Sequence, residues 1–135
     1  LTLTAQAEKA LDTAKGGGTN AVVLFGETIR WADWPRLAAA AAELDRLGAD
    51  YRLSTGYVYS LLQLIDLATA PGNPESPLWR SRFAYRTRRY VVDKLPPEAR
   101  ATAQARLAAG IGERGIATLG GAYRIPLFNY FYRQR

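Results

Sequence analysis

Five arginines crowd into the segment between Leu78 and Leu95: Arg80, Arg82, Arg86, Arg88 and Arg89. Lys94 joins them, and Asp93 is the only acid within the segment. Nearly all of the chain's net charge of +6 therefore sits in one place. A concentrated positive field of this kind favours polyanions through counterion release and steering. If the segment is helical, Arg82, Arg86 and Arg89 fall at i, i+4 and i+7 and share a stripe. Trp79, Phe83 and Tyr90 repeat the spacing on a neighbouring stripe. Aromatic anchors would then dock the helix while guanidinium forks face a phosphate backbone, with base stacking also open. One rival is a solvated face with surface ion pairs, for which the segment offers only Asp93. Another is the acidic surface of a partner protein. Fifteen of the eighteen basic residues are Arg, which suits bidentate phosphate contact. A GC-rich coding sequence gives the same bias.

Other chemistry is limited by what the 135 residues lack. Cys is absent, so there is neither a disulfide framework nor thiolate nucleophile. His is absent too, which removes the commonest zinc ligand, the usual acid–base side chain and any HD-type nuclease site. Asp12, Asp45 and Asp66 are scattered on expected helices and read as surface. The Gly16-Gly17-Gly18 run precedes a strand and lacks a Gly-Lys-Ser/Thr ending, so it reads as a turn. No catalytic residue and no metal ligand set emerges. No apolar run is long enough to span a bilayer and no signal pattern opens the chain, so the expected setting is the cytoplasm, without a membrane.

The elements that must position these residues are mostly helical. A helix is expected over 3–15, closed by Lys15 and the glycine run. Asn20 to Phe25 is an apolar β-branched run that Gly26-Glu27 can turn back into Thr28-Ile29-Arg30-Trp31, a hairpin. A hairpin and one helix make no independent sheet, so a larger truncated fold is expected there. From Asp33 the pattern is wholly helical. One helix, capped by Asp33 with Pro35 in its first turn, stops at Gly48. A second is capped by Ser54 and carries Tyr57, Val58, Leu61, Leu62 and Ile65. After the loop 71–77, Ser76 caps the basic helix, which should run to about Lys94. Pro96-Pro97 opens another to about Ala109, and Gly110, Gly112 and Gly115 weaken the stretch beyond it. A last helix holds Leu119, Tyr123, Leu127 and Phe131, whose aromatic surroundings read as core or subunit interface. Trp31 and Trp34 read as packing at the junction of the two parts.

Several of these stretches together resemble a known family. They are Ala7 to Lys15, Asn20 to Gly26, Trp31, the run Leu53-Ser54-Thr55-Gly56-Tyr57-Val58-Tyr59-Ser60-Leu61-Leu62, and Arg124-Ile125-Pro126-Leu127. This pattern is similar to the C-terminal part of the large signature subunit of type III-A (Csm-type) CRISPR–Cas effector complexes. The resemblance implies a mainly α chain: residues 1–31 would end an α/β, GGDEF-like Palm domain with its last helix and β-hairpin. Residues 32–135 would form a bundle-like C-terminal helical domain. The family's polypeptide makes cyclic oligoadenylates from ATP with divalent metal at a Gly-Gly-Asp-Asp site, and often carries an HD nuclease. Here Gly17-Gly18 is followed by Thr19-Asn20 and Gly120-Gly121 by Ala122-Tyr123. Catalysis would therefore lie upstream, and this fragment would need no cofactor and be no enzyme.

The resemblance also implies partners: other subunits of the effector complex, guide RNA and target RNA. It gives Lys15 a nucleotide-phosphate contact, whereas the plain reading has Lys15 complement a helix dipole. Arg80, Arg82, Arg86, Arg88 and Arg89 would meet RNA or an acidic subunit surface. The alternatives are a free-standing helical RNA-binding or small-subunit-like module, and a nucleotide-handling enzyme fragment in which Lys15 matters.

Overall fold

The computed structural model describes residues 21–24 and 27–133, with side chains placed from 28 to 133. The helix expected over 3–15 and Lys15 lie outside the described residues. Strands β1 (Ala21–Leu24) and β2 (Glu27–Arg30) pair antiparallel, with Ala21 opposite Arg30 and Leu24 opposite Glu27. Glu27, expected in the turn, belongs to the second strand. From a short 3₁₀ turn at Trp31–Asp33 onward, the described residues are helical or connecting loop.

Helix α1 (Trp34–Tyr51) is driven by its alanine tract and buries Leu37, Ala41, Leu44 and Leu47 at three- and four-residue steps. Asp33 precedes it without a side-chain cap, lying 3.5 Å from Arg30 instead. Gly48 does not stop the helix. The Tyr130 ring rests on it so closely that a Cβ would overlap the ring. The stop comes at Arg52, whose left-handed φ of 52° lets its N–H reach the Gly48 carbonyl at 2.8 Å. Helix α2 (Thr55–Ala68) begins as expected, with Ser54 Oγ accepting from the Tyr57 N–H at 3.1 Å.

Ser76 does not cap the basic helix; its hydroxyl donates to the Ala68 carbonyl at 3.1 Å and ties the loop to the end of α2. A 3₁₀ turn at Ser76–Leu78 leads into α3 (Trp79–Tyr90). This helix ends before Lys94 because Val91 leaves helical geometry at φ −124°, and Val91 and Val92 then turn into the core. Helix α4 (Pro97–Leu107) continues into a π-helical segment, Ala108–Ala117. The three glycines there do not end the helix. Without side chains, Gly112 and Gly115 let the widened backbone meet Phe83 and Tyr123 closely; a Cβ on Gly115 would lie 2.6 Å from Tyr123 Cζ. Gly120, at φ 55°, then reverses the chain into a 3₁₀ turn and α5 (Arg124–Arg133). Pro126 is harmless in the first turn, where its missing N–H has no helical partner to lose.

One core runs through the helices, with Leu44, Tyr57, Leu61, Ile65, Phe83, Leu107, Ile111, Tyr123 and Leu127 all buried. A smaller cluster joins Ile29 of β2 to Leu37 and Ala41 of α1 and Ile125 of α5. Trp31 and Trp34 pack against it.

Candidate nucleic-acid interface

Helix α3 carries its cations on the outside because Trp79, Phe83 and Thr87, one helical turn apart, are buried. Thr87 Oγ1 meets the Tyr57 hydroxyl at 2.7 Å, which satisfies two polar groups inside the core. Burial pushes the Tyr57 hydroxyl's pKa well above its ordinary value, so it stays neutral. Tyr90, expected as a third core anchor, is 41% exposed. The helix ends at Tyr90, the two valines after it fill the interior, and its ring only flanks Tyr57, with centroids 6.2 Å apart.

The five arginines divide by what they touch. Arg80 makes a bidentate contact with Glu113 of the π-helical segment, at 3.2 and 3.1 Å. That contact raises the Arg80 pKa and lowers that of Glu113. Arg80 also lies over the Trp79 ring at 4.6 Å. Arg82 pairs with Glu75 in the preceding loop at 3.2 Å. Arg86 reaches across to α2 and donates to the Ser60 carbonyl at 3.0 Å. The expectation that the segment had only Asp93 to pair with is therefore corrected. Glu75 and Glu113 lie outside the segment in sequence and beside it in space. The stripe of Arg82, Arg86 and Arg89 is not uniform either, since its first two members are half-buried and engaged.

The remaining cations lie toward the C-terminal end of α3. Arg88 meets no carboxylate among the described residues, and its guanidinium sits 5.8 Å from the Tyr85 ring centroid. Arg89 and Lys94 are exposed and likewise unpaired among the described residues. Arg86, Arg89, Lys94, Tyr85 and Tyr90 line an open cleft of about 580 Å³. A second cleft, of about 590 Å³ between α3 and α4, shares the Tyr85 wall and adds Arg88, Asp93 and Arg100. Arg100 is held by the carbonyls of Leu95 and Asp93 at 3.0 and 3.2 Å.

One residue missed in the sequence completes this surface. Tyr85 is 54% exposed and lines both clefts. Its signal was available: two residues beyond Phe83, it points some 200° away from the buried stripe. Lys94 belongs with the arginines because the chain turns back at Val91. Among the described residues no group of three acids, histidines or cysteines could hold a metal ion, and no helix is long and apolar enough to cross a membrane. No known protein-family model, curated protein or solved structure matches this chain.

Proposed function

We propose that this chain is the C-terminal part of the large subunit of a type III CRISPR effector complex. Residues 1–31 would then close its Palm domain, and residues 32–135 would be the C-terminal helical domain, working in the cytoplasm by binding. The chain contributes no catalytic step of its own: ATP and divalent metal belong to upstream residues, since neither Gly-Gly pair here is followed by Asp-Asp. Its partners are neighbouring subunits, guide RNA and target RNA. Support comes from the order of elements, a hairpin followed by a helical body, and above all from one observation. The cations Arg88, Arg89 and Lys94 lie toward one end of α3, Arg89 and Lys94 in one cleft and Arg88 in the adjoining one, with no ion pair among the described residues. Cations held near one another without counter-charge repel, an arrangement that binding a polyanion relieves.

The test is the salt dependence of RNA binding. Replacing Arg88, Arg89 and Lys94 together by Ala should weaken binding to unrelated RNA sequences alike. It should flatten the dependence of log affinity on log salt by about 2–3 units, roughly 0.7–0.9 for each phosphate no longer neutralised. An unchanged slope, combined with failure to co-purify with a neighbouring subunit, would make this a protein-docking surface. The assignment to the larger polypeptide is tested separately, by whether a Gly-Gly-Asp-Asp precedes Leu1 in the encoding gene. A free-standing RNA-binding module uses the same surface and differs in needing no upstream sequence.

A further inference from the structure

We infer that this surface takes single-stranded RNA, with an unpaired base stacked on Tyr85 in the cleft shared with Tyr90 and the flanking phosphates on Arg89 and Lys94. The inference rests on the RNA reading above and adds the form of the ligand.

A tyrosine that is 54% exposed on a helix with a well-filled opposite face contributes little to the core. Here the ring lines both clefts. Of the two, Arg88 lines only the first, and its guanidinium lies 5.8 Å from the ring centroid. The first cleft also contains the Asp93 carboxylate, which repels phosphate, and an Arg100 already bound to two backbone carbonyls. The second cleft is lined by two tyrosines and three cations, with no carboxylate among the lining residues. Tyr90 also lines it, with its ring centroid 6.2 Å from that of Tyr57. Of its cations, Arg86 is anchored on Ser60, while Arg89 and Lys94 remain to meet phosphates.

A flat ring flanked by cations recognises a nucleobase face and its phosphates together. Double-stranded RNA cannot use such a ring, because its bases are already stacked and its recognition runs through 2′-hydroxyls and phosphates. Arg88 near the ring adds an attraction between cation and π-system.

The experiment compares three labelled probes with the full chain: a short uridine oligomer, an abasic strand of equal length, and an RNA duplex. The wild type should prefer the uridine oligomer to both others. Tyr85→Ala should weaken uridine-oligomer binding about tenfold, leave its salt slope unchanged and hardly alter binding to the abasic strand. Tyr85→Trp should restore the affinity, and with its larger ring it also controls for any loss of folding. If Tyr85→Ala binds the uridine oligomer as the wild type does, or loses as much on the abasic strand, stacking is refuted. The RNA reading would still stand wherever replacing Arg88, Arg89 and Lys94 flattens the slope. If the wild type binds none of these probes but does bind polyglutamate, the surface meets acidic protein and both readings fall.

Discussion

Four arginines of α4, the π-helical segment and α5 are tied to carboxylates of α1 and α2; Arg88 and Arg89 at the C-terminal end of α3 are not. Arg114 meets Glu43 with its Nε at 2.8 Å, Arg133 meets Asp45 at 2.7 Å, Arg124 meets Asp66 at 2.6 Å and Arg106 meets Asp50 at 2.8 Å. Three of these pairs join residues 58 to 88 positions apart in the chain. They fix how helices sit against one another, although exposed pairs of this kind add little stability each. Arg88, Arg89 and Lys94 have no such tether among the described residues. The lesson is that local excess of charge and available charge are different quantities. Arg80 and Arg82 belong to the excess by sequence and to the tethered set by geometry.

The comparison breaks first where the tethered region depends on close packing. Gly115→Leu would drive a side chain into the Tyr123 ring, which is fully buried and cannot give way cheaply. Overpacking of this kind costs about 1–3 kcal/mol, and a rigid aromatic neighbour places the change at the upper end. Thermal unfolding should show a Tm several degrees lower, while folded protein below that temperature keeps the wild-type salt slope for RNA. A wild-type Tm would mean that the π-helical segment can shift away from Tyr123, and the packing account of its glycines would be wrong.

A smaller effect separates the two classes of arginine. Arg80→Ala combined with Arg82→Ala removes two charges that Glu113 and Glu75 already offset. The RNA salt slope should change by less than one unit, against about 2–3 for the Arg88, Arg89 and Lys94 variant. Equal losses from both variants would show that RNA displaces the ion pairs, and the division drawn from the structure would not govern binding.

Much of the fold is set by local rules. The Ser54 cap, the breaking loop at 71–75, the Pro96-Pro97 start and the pairing of 21–24 with 27–30 each depend on residues close in sequence. The features that local patterns hide depend on distant partners. Gly48 looks like a stop until Tyr130, 82 positions on, is laid against it. Gly110, Gly112 and Gly115 look like breakers until Leu47, Phe83 and Tyr123 take up the space they leave. The candidate site divides in the same way. The basic helix and its buried Trp79 and Phe83 face are periodic in sequence. The neutralisation of Arg80 needs Glu113, 33 residues away, and Tyr85 gains its meaning only from the two clefts it lines.

The finest distinction concerns the tethers themselves and is read through pH. The Arg114 hydrogen bond is the main cause holding the Glu43 carboxyl below the usual carboxylate range, against a smaller opposing effect of burial. A carboxyl whose pKa is depressed on folding contributes stability that is complete above its unfolded pKa. That contribution is lost as pH falls through the folded value, where the carboxyl takes up a proton. The Tm advantage of the wild type over Glu43→Gln should therefore be constant near neutral pH and shrink below the usual carboxylate range. It should vanish once Glu43 is protonated. RNA affinity at neutral pH should be the same for both, because Glu43 and Arg114 lie outside the α3 clefts. A Tm difference that stays flat into acid, or widens there, would show that the carboxylate form is not what holds α1 to the π-helical segment.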